Sequence, residues 1–242
     1  MPHPLEGIMP GGSHRTWSVA TEIASHRGFY LAGGTGLALY LHHRRSTDLD
    51  FFLHSDFDPQ EIVDALKAHE LPIKVLNLSP GTLNVLCDSV VVQFLSVAGQ
   101  KQLSSTSRID TADVASIPDI LAMKLNAVTG RAKLRDYFDL MLIDQQTGYP
   151  IEQGLVFFLE RYHPQVPEQS ATVVIRSLAY LDDVVQDETV PVDRQVVVDF
   201  WRSRSVEMAE HLDRDGGSGM HRDSNQGHEP HPRLRKGKGY GL

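Results

Sequence analysis

Hydrophobic positions recur along the chain in two rhythms, and the switch between them divides it. In the first half the runs are short. Between residues 13 and 27, Trp17, Val19, Ile23 and Ala24 return at loose helical spacing and predict a helix. Residues 29–32 read as a buried strand, Gly33-Gly34-Thr35 as a turn, and Leu37, Ala38, Leu39 and Leu41 as the helix after it. A second strand is predicted over 48–53. Asp58 is the expected N-cap of a helix that Pro59 opens and that runs to about His69, with Ile62, Val63, Ala65 and Leu66 on its apolar side. Three β-rich runs follow at 73–78, 82–87 and 89–97, with Pro80-Gly81 and Asp88 at the turns.

After Ile117-Pro118 the period lengthens to that of helices, predicted over 119–129, 133–146, 151–162, 169–185 and 193–212. Beyond Arg214 glycines abound and apolar residues almost vanish, so burial there cannot offset the entropy of ordering, and a disordered tail is expected. The organisation predicted is α+β: a mixed-sheet core over 1–116, a helical region over 117–213 that completes the site, and a tail over 214–242.

Composition narrows the partners. The chain has 242 residues, 41% of them hydrophobic and 22% charged, which is ordinary for a folded globule. Its formal net charge of −8 argues against coating nucleic acid by bulk electrostatics, although a local basic groove remains compatible with it. Cys87 is the single cysteine, so no disulfide framework or cysteine-rich metal site is expected, which suits a reducing cytoplasm. The histidines show no metal-ligand spacing. No apolar run approaches the roughly 20 residues of a membrane helix, so no membrane partner is expected.

Chemistry concentrates around Asp48 and Asp50. Two apart on a strand, their side chains share a face, while Leu49 and Phe51 point the other way. Two neighbouring carboxylates call for a cation, and oxygen ligands suit Mg²⁺ or Mn²⁺, which also bridges nucleotide phosphates. A D-x-D alone is weak, since an exposed pair is often only a solvated face. Here it follows Gly33-Gly34-Thr35 at the start of a helix, where backbone N–H groups and the helix dipole can hold phosphate oxygens and the Thr35 hydroxyl can assist. The alternative is that the glycines only permit a turn and Thr35 only caps it. The two elements together favour the phosphate cradle.

The segment LAGGTGLALYLHHRRSTDLDFF, residues 31–52, resembles the first motif of the AbiEii/AbiGii-type nucleotidyltransferase toxin family, within the polymerase-beta-like superfamily; Arg45 and Ser46 fit it as well. A second stretch, IPDILAMKLNAVTGRAKLRDYFDL at 117–140, resembles that family's lysine, arginine and K/R-D-x-x-D-L element. The resemblance implies a mixed sheet with flanking helices and a helical C-terminal half. It also implies transfer of a nucleotide from an NTP to RNA, with a tRNA end as the candidate acceptor, as the toxin of a toxin-antitoxin or abortive-infection pair with a cognate antitoxin protein. It assigns catalytic weight to Lys124 and Asp136 beside Asp48 and Asp50, and nucleotide contacts to Gly33, Gly34, Thr35, Arg45, Ser46, Arg131 and Arg135.

Independently, Lys124, Arg131 and Arg135 would share a face if 119–146 were one helix, although a break near Gly130 is equally credible. Asp136 and Asp139, three apart, share a face, one to orient Lys124 or Arg131 and the other to pair structurally; the plainer reading is surface ion pairs. Arg45 is favoured over Arg44 for contact with triphosphate or acceptor, and Ser46 either meets phosphate or bonds its own turn. The pattern departs from polymerase-beta-like enzymes at Gln93, where a third metal carboxylate would be expected on a later strand. Two rivals stand beside the toxin reading: a transferase acting on a protein or small molecule, and a non-catalytic nucleotide-binding module.

Overall fold

The structure is a computed structural model that describes residues 5–219. Its elements are α1 (His14–His26), β1 (Tyr30–Leu31), α2 (Gly33–Leu41), β2 (Asp48–Leu53), α3 (Pro59–Ala68), β3 (Ile73–Ser79), β4 (Thr82–Cys87), β5 (Val90–Ser96), β6 (Ser107–Ile109), β7 (Ala112–Val114), α4 (Ile117–Gly130), α5 (Leu134–Gln146), α6 (Ile151–Tyr162), α7 (Pro167–Ala179) and α8 (Arg194–Gly219). The strands form one seven-stranded sheet in the order β3-β4-β5-β2-β1-β7-β6. It is mixed: β2 runs parallel to β5 and β1 to β7, while the remaining neighbours are antiparallel.

The sheet separates hydrophobic core from chemistry by strand parity. Leu49 and Phe51 on β2, Val92 and Phe94 on β5 and Leu83 and Val85 on β4 join the buried cluster that contains Trp17, Ala20 and Ile23 of α1 and Ile62, Val63 and Leu66 of α3. There Phe94 stacks on Phe51, with ring centroids 5.2 Å apart, and meets Phe29 edge to face at 5.3 Å. Asp48, Asp50 and Phe52, out of phase by one residue, face the other side. There α4 is the central helix, packing against α2, α5, α6 and α7. Its start is held by Ser116, whose side chain accepts from the Asp119 N–H, and Pro118 occupies the first turn, where its missing donor costs nothing.

Several features depart from the sequence reading. β6 and β7 were not anticipated, being three residues each and too short to show a strand period. The helix expected from Leu37 begins at Gly33, so the glycines are its first turn and not a turn before it. α4 and α5 are separate, with Arg131 extended at the end of α4, which chooses the break near Gly130 over one continuous helix. The chain to Ser205 is one compact unit, so the passage from sheet to helices at Ile117 takes place inside it; a second unit starts at Val206. α8 continues to Gly219 because extending a helix needs no new nucleation, so the tail expected from 214 begins as helix; its remainder, 220–242, lies outside the described residues. No described helix is long and apolar enough to cross a membrane.

Candidate active site

A cavity of about 690 Å³ opens between β2, β5, the start of α2 and the face of α4, and Asp48 and Asp50 form its floor. The chain there is packed closely enough to dictate residue type. Gly33 has φ +64, and a β-carbon on it would lie 2.2 Å from Asp50 Oδ2; one on Gly34 would lie 2.5 Å from an Arg44 guanidinium nitrogen and 3.2 Å from Ser46 Oγ. Both glycines therefore bring bare backbone against the carboxylate and the guanidinium. Thr35 is fully buried and donates its hydroxyl to the Asp48 carbonyl, tying the first turn of α2 to the acid strand. Gly33→Ala is expected to leave the protein folded, at a cost of about 1–3 kcal/mol, and to lower transfer by about 100-fold, because Asp50 must move. Circular dichroism and a transfer assay would check this.

Behind the floor lies a buried ionic network. Lys124 Nζ stands 2.8 Å from Asp136 Oδ1 and 2.6 Å from Asp139 Oδ2. Arg44 grips Asp139 with two nitrogens, Nε to Oδ1 at 2.6 Å and Nη2 to Oδ2 at 2.8 Å, while His43 Nε2 is 2.8 Å from Oδ1. Arg131 forks onto Asp136 at 2.8 and 3.2 Å. Burial alone would raise both carboxyls, but Lys124 and the arginines outweigh it, so Asp136 lies below the usual carboxylate range and Asp139 well below. Asp50 goes the opposite way: burial first, then the charge of Asp48, push its pKa to about 6 against the pull of Lys124, Arg131 and Arg135. Arg135 approaches Asp48 Oδ2 at 4.0 Å.

The model of a protein family described as "Nucleotidyl transferase AbiEii toxin, Type IV TA system" matches residues 19–84 and 94–213, which takes in every cavity-lining residue named here except Gln93. The chain belongs to the AbiEii nucleotidyltransferase toxin family. It is therefore a nucleotidyltransferase of a toxin family. An uncharacterized protein, aq_aa25, from Aquifex aeolicus (strain VF5) is 26% identical over 190 residues, covering 75% of this chain and 88% of that protein. JHP933 from Helicobacter pylori has a similar fold, with TM-score 0.51 and 16% identity over 87% of this chain and 97% of that one.

In this AbiEii-family chain, Gly33, Gly34, Ser46, Asp48, Asp50, Lys124, Arg131 and Arg135 all line the cavity. Three expected site residues do not. Thr35 is buried, with its hydroxyl donating to the Asp48 carbonyl and tying the helix start to the acid strand. Asp136 is fully buried behind Lys124 and Arg131 and holds them in place. Arg45 is exposed outside the cavity, whereas Arg44 is buried and lines it, reversing the expected preference. Arg44 and Arg45 turn to different sides of the irregular connection between α2 and β2, and residue type alone could not say which turns inward.

Gln93 lines the cavity in register with Asp50 on the neighbouring strand, where the third acid was sought. Among the described residues no cluster of three or more His, Cys, Asp or Glu side chains is arranged to hold a metal. Sequence reasoning passed over Phe52, Gln100, Tyr162 and the fully buried Arg161, although Arg161 carries a wide network. A charged residue at the end of an amphipathic helix gives no sign of burial.

Proposed function

We propose that this chain uses Mg²⁺ or Mn²⁺ to transfer a nucleotide from an NTP to RNA, with a tRNA end as the first acceptor to test, and that an antitoxin protein restrains it. The observation that carries the reading is the placing of Asp48 and Asp50 in one cavity with the cations Arg44, Lys124, Arg131 and Arg135 and the N-terminal turn of a helix. Charge counting supports the metal. Four carboxylates (Asp48, Asp50, Asp136, Asp139) already balance four cations (Arg44, Lys124, Arg131, Arg135), so an arriving triphosphate requires further positive charge. Two carboxylates, with the remaining ligands drawn from substrate phosphate and water, fit the way Mg²⁺ is commonly held, and Asp50 raised to about 6 marks a carboxyl short of a counter-ion.

Bound there, the ion would neutralise the phosphates and make an acceptor hydroxyl more acidic. The side chains and backbone do the rest. The first N–H groups of α2 lack intrahelical partners and, with the positive end of the helix, suit phosphate oxygens at Gly33 and Gly34. Ser46 adds a hydroxyl at the same wall. Lys124, held between Asp136 and Asp139, and Arg131 offer fixed positive charge to the pyrophosphate that the acceptor oxygen displaces from the α-phosphorus. Arg131, half-exposed and lining the cavity, offers local positive charge to an acceptor backbone on an otherwise acidic chain.

The test is incubation with each α-labelled NTP, Mg²⁺, total RNA and a protein extract. Metal-dependent label on RNA is the expected result. Label on protein or on a small molecule instead would replace the acceptor, and no label with any NTP would overturn the reading.

A further inference from the structure

The phosphate machinery occupies only one end of the cavity. Along β2, Phe52 follows Asp50 on the same face about 7 Å further on. Leu95 of β5 pairs with Phe52 in register, as Gln93 pairs with Asp50. Tyr162, at the end of α6, and Gln100 also line the cavity, and both are half-buried. From Asp48 outward the wall therefore changes from carboxylates to an aromatic ring, an aliphatic side chain, a second aromatic ring and an amide.

A buried hub fixes this end. Arg161 is fully buried; its Nε donates to Gln100 Oε1 at 3.0 Å, and its Nη1 donates to Asp119 Oδ1 at 2.6 Å and to the Lys101 carbonyl at 3.2 Å. Its Nη2 donates to the Tyr30 hydroxyl at 3.0 Å, and the Tyr30 ring lies 6.0 Å from that of Phe52. The Asp119 carboxylate in turn accepts from the backbone N–H groups of Leu103 and Ser104. With its oxygen engaged by Arg161, the Gln100 amide has its NH₂ group left as donor. Two rings and a fixed donor beside a phosphate site match a flat heteroaromatic ring with an acceptor on its edge.

We propose that Phe52, Leu95 and Tyr162 seat the nucleobase of the NTP and that Gln100, held by Arg161, donates to an acceptor on its edge. The proposal rests on the nucleotide-transfer reading and adds the residues that recognise the base. Tyr162 and Phe52 supply the stacking surface, which tolerates any base, and Gln100 supplies the discrimination.

Calorimetric titration of Mg²⁺ with each of the four NTPs, and separately with inorganic tripolyphosphate, tests it. Tyr162→Ala is expected to weaken NTP binding by about 10- to 100-fold and to leave tripolyphosphate binding unchanged, with Tyr162→Phe close to wild type. Phe52→Ala should repeat the pattern, and Gln100→Leu should flatten the differences among the four NTPs. The inference is overturned if Tyr162→Ala and Phe52→Ala both keep wild-type NTP affinity, or if either weakens tripolyphosphate as much as NTP. Should the wild-type protein bind neither ligand, the nucleotide reading falls with it, a result distinct from NTP binding that ignores both rings.

Discussion

Asp50→Asn is expected to lower nucleotide transfer by about 1,000-fold or more and, at the same time, to make the metal-free protein more stable above pH 6. The loss follows from the proposed role, since one of the two carboxylates that would hold the ion beside the reacting phosphates is removed, where electrostatic groups contribute most. The gain follows from the direction of the pKa shift. The folded protein raises Asp50 from 3.8 to about 6, so folding resists its ionisation. In a group shifted this way the penalty is absent below about pH 4, grows as pH rises through the folded value, and is complete above it. Asparagine keeps the shape and removes the charge, so the melting temperature at pH 7.5 should rise by about 6–12 °C, corresponding to about 3 kcal/mol, and the advantage should vanish near pH 4. A catalytic group whose removal stabilises the apo protein is distinguishable from one that merely supports the fold.

Asp139→Asn is the opposite case. Its carboxylate is fully buried and accepts from Arg44, Lys124 and His43 at once. Removing that charge leaves two cations without their shared partner, and the expected cost is about 3–5 kcal/mol, with a fall in melting temperature of about 6–20 °C. Here the folded state lowers the pKa, so the stabilisation is present above the ordinary carboxylate value of 3.8 and is lost as pH falls below it. Urea unfolding at pH 7 and at pH 3 should show the difference between variant and wild type shrinking at the acid end. Transfer should fall as well, since Lys124 and Arg44 lose their fixed positions. A variant as stable as wild type at pH 7 would contradict the network described here.

The contrast between these two aspartates shows what residue order reveals and what it does not. Strand alternation put Asp48 and Asp50 on one face with Leu49 and Phe51 on the other, and the structure has that arrangement, because side-chain parity is a local property of extended backbone. The helices after Ile117 were legible from their period for the same reason, although the one expected over 169–185 ends at Ala179. β6 and β7 were not, since their pairing with β1 and with each other is a long-range matter that three-residue segments do not announce. The site divided along the same line. Gly33, Gly34 and the acid pair are close in sequence and were read together, as were Lys124, Arg131 and Arg135 from the second motif. Which of Arg44 and Arg45 turns into the cavity, and that Thr35 and Asp136 lie behind its wall, was not legible, because that depends on what packs behind them; that Asp136 or Asp139 holds Lys124 was read from their spacing. Arg161, Gln100 and Tyr162 come from a distant helix and loop and meet Phe52 only in the folded chain.

The central claim is that Asp48 and Asp50 hold a divalent ion together with a nucleotide. Its most direct test is electron paramagnetic resonance of Mn²⁺ titrated into wild-type, Asp48→Asn and Asp50→Asn proteins in the presence of a non-hydrolysable NTP analogue. Protein-bound Mn²⁺ is expected in the wild type, dependent on the nucleotide and absent from both variants. Equal Mn²⁺ binding in all three proteins, or none in the wild type, would contradict it.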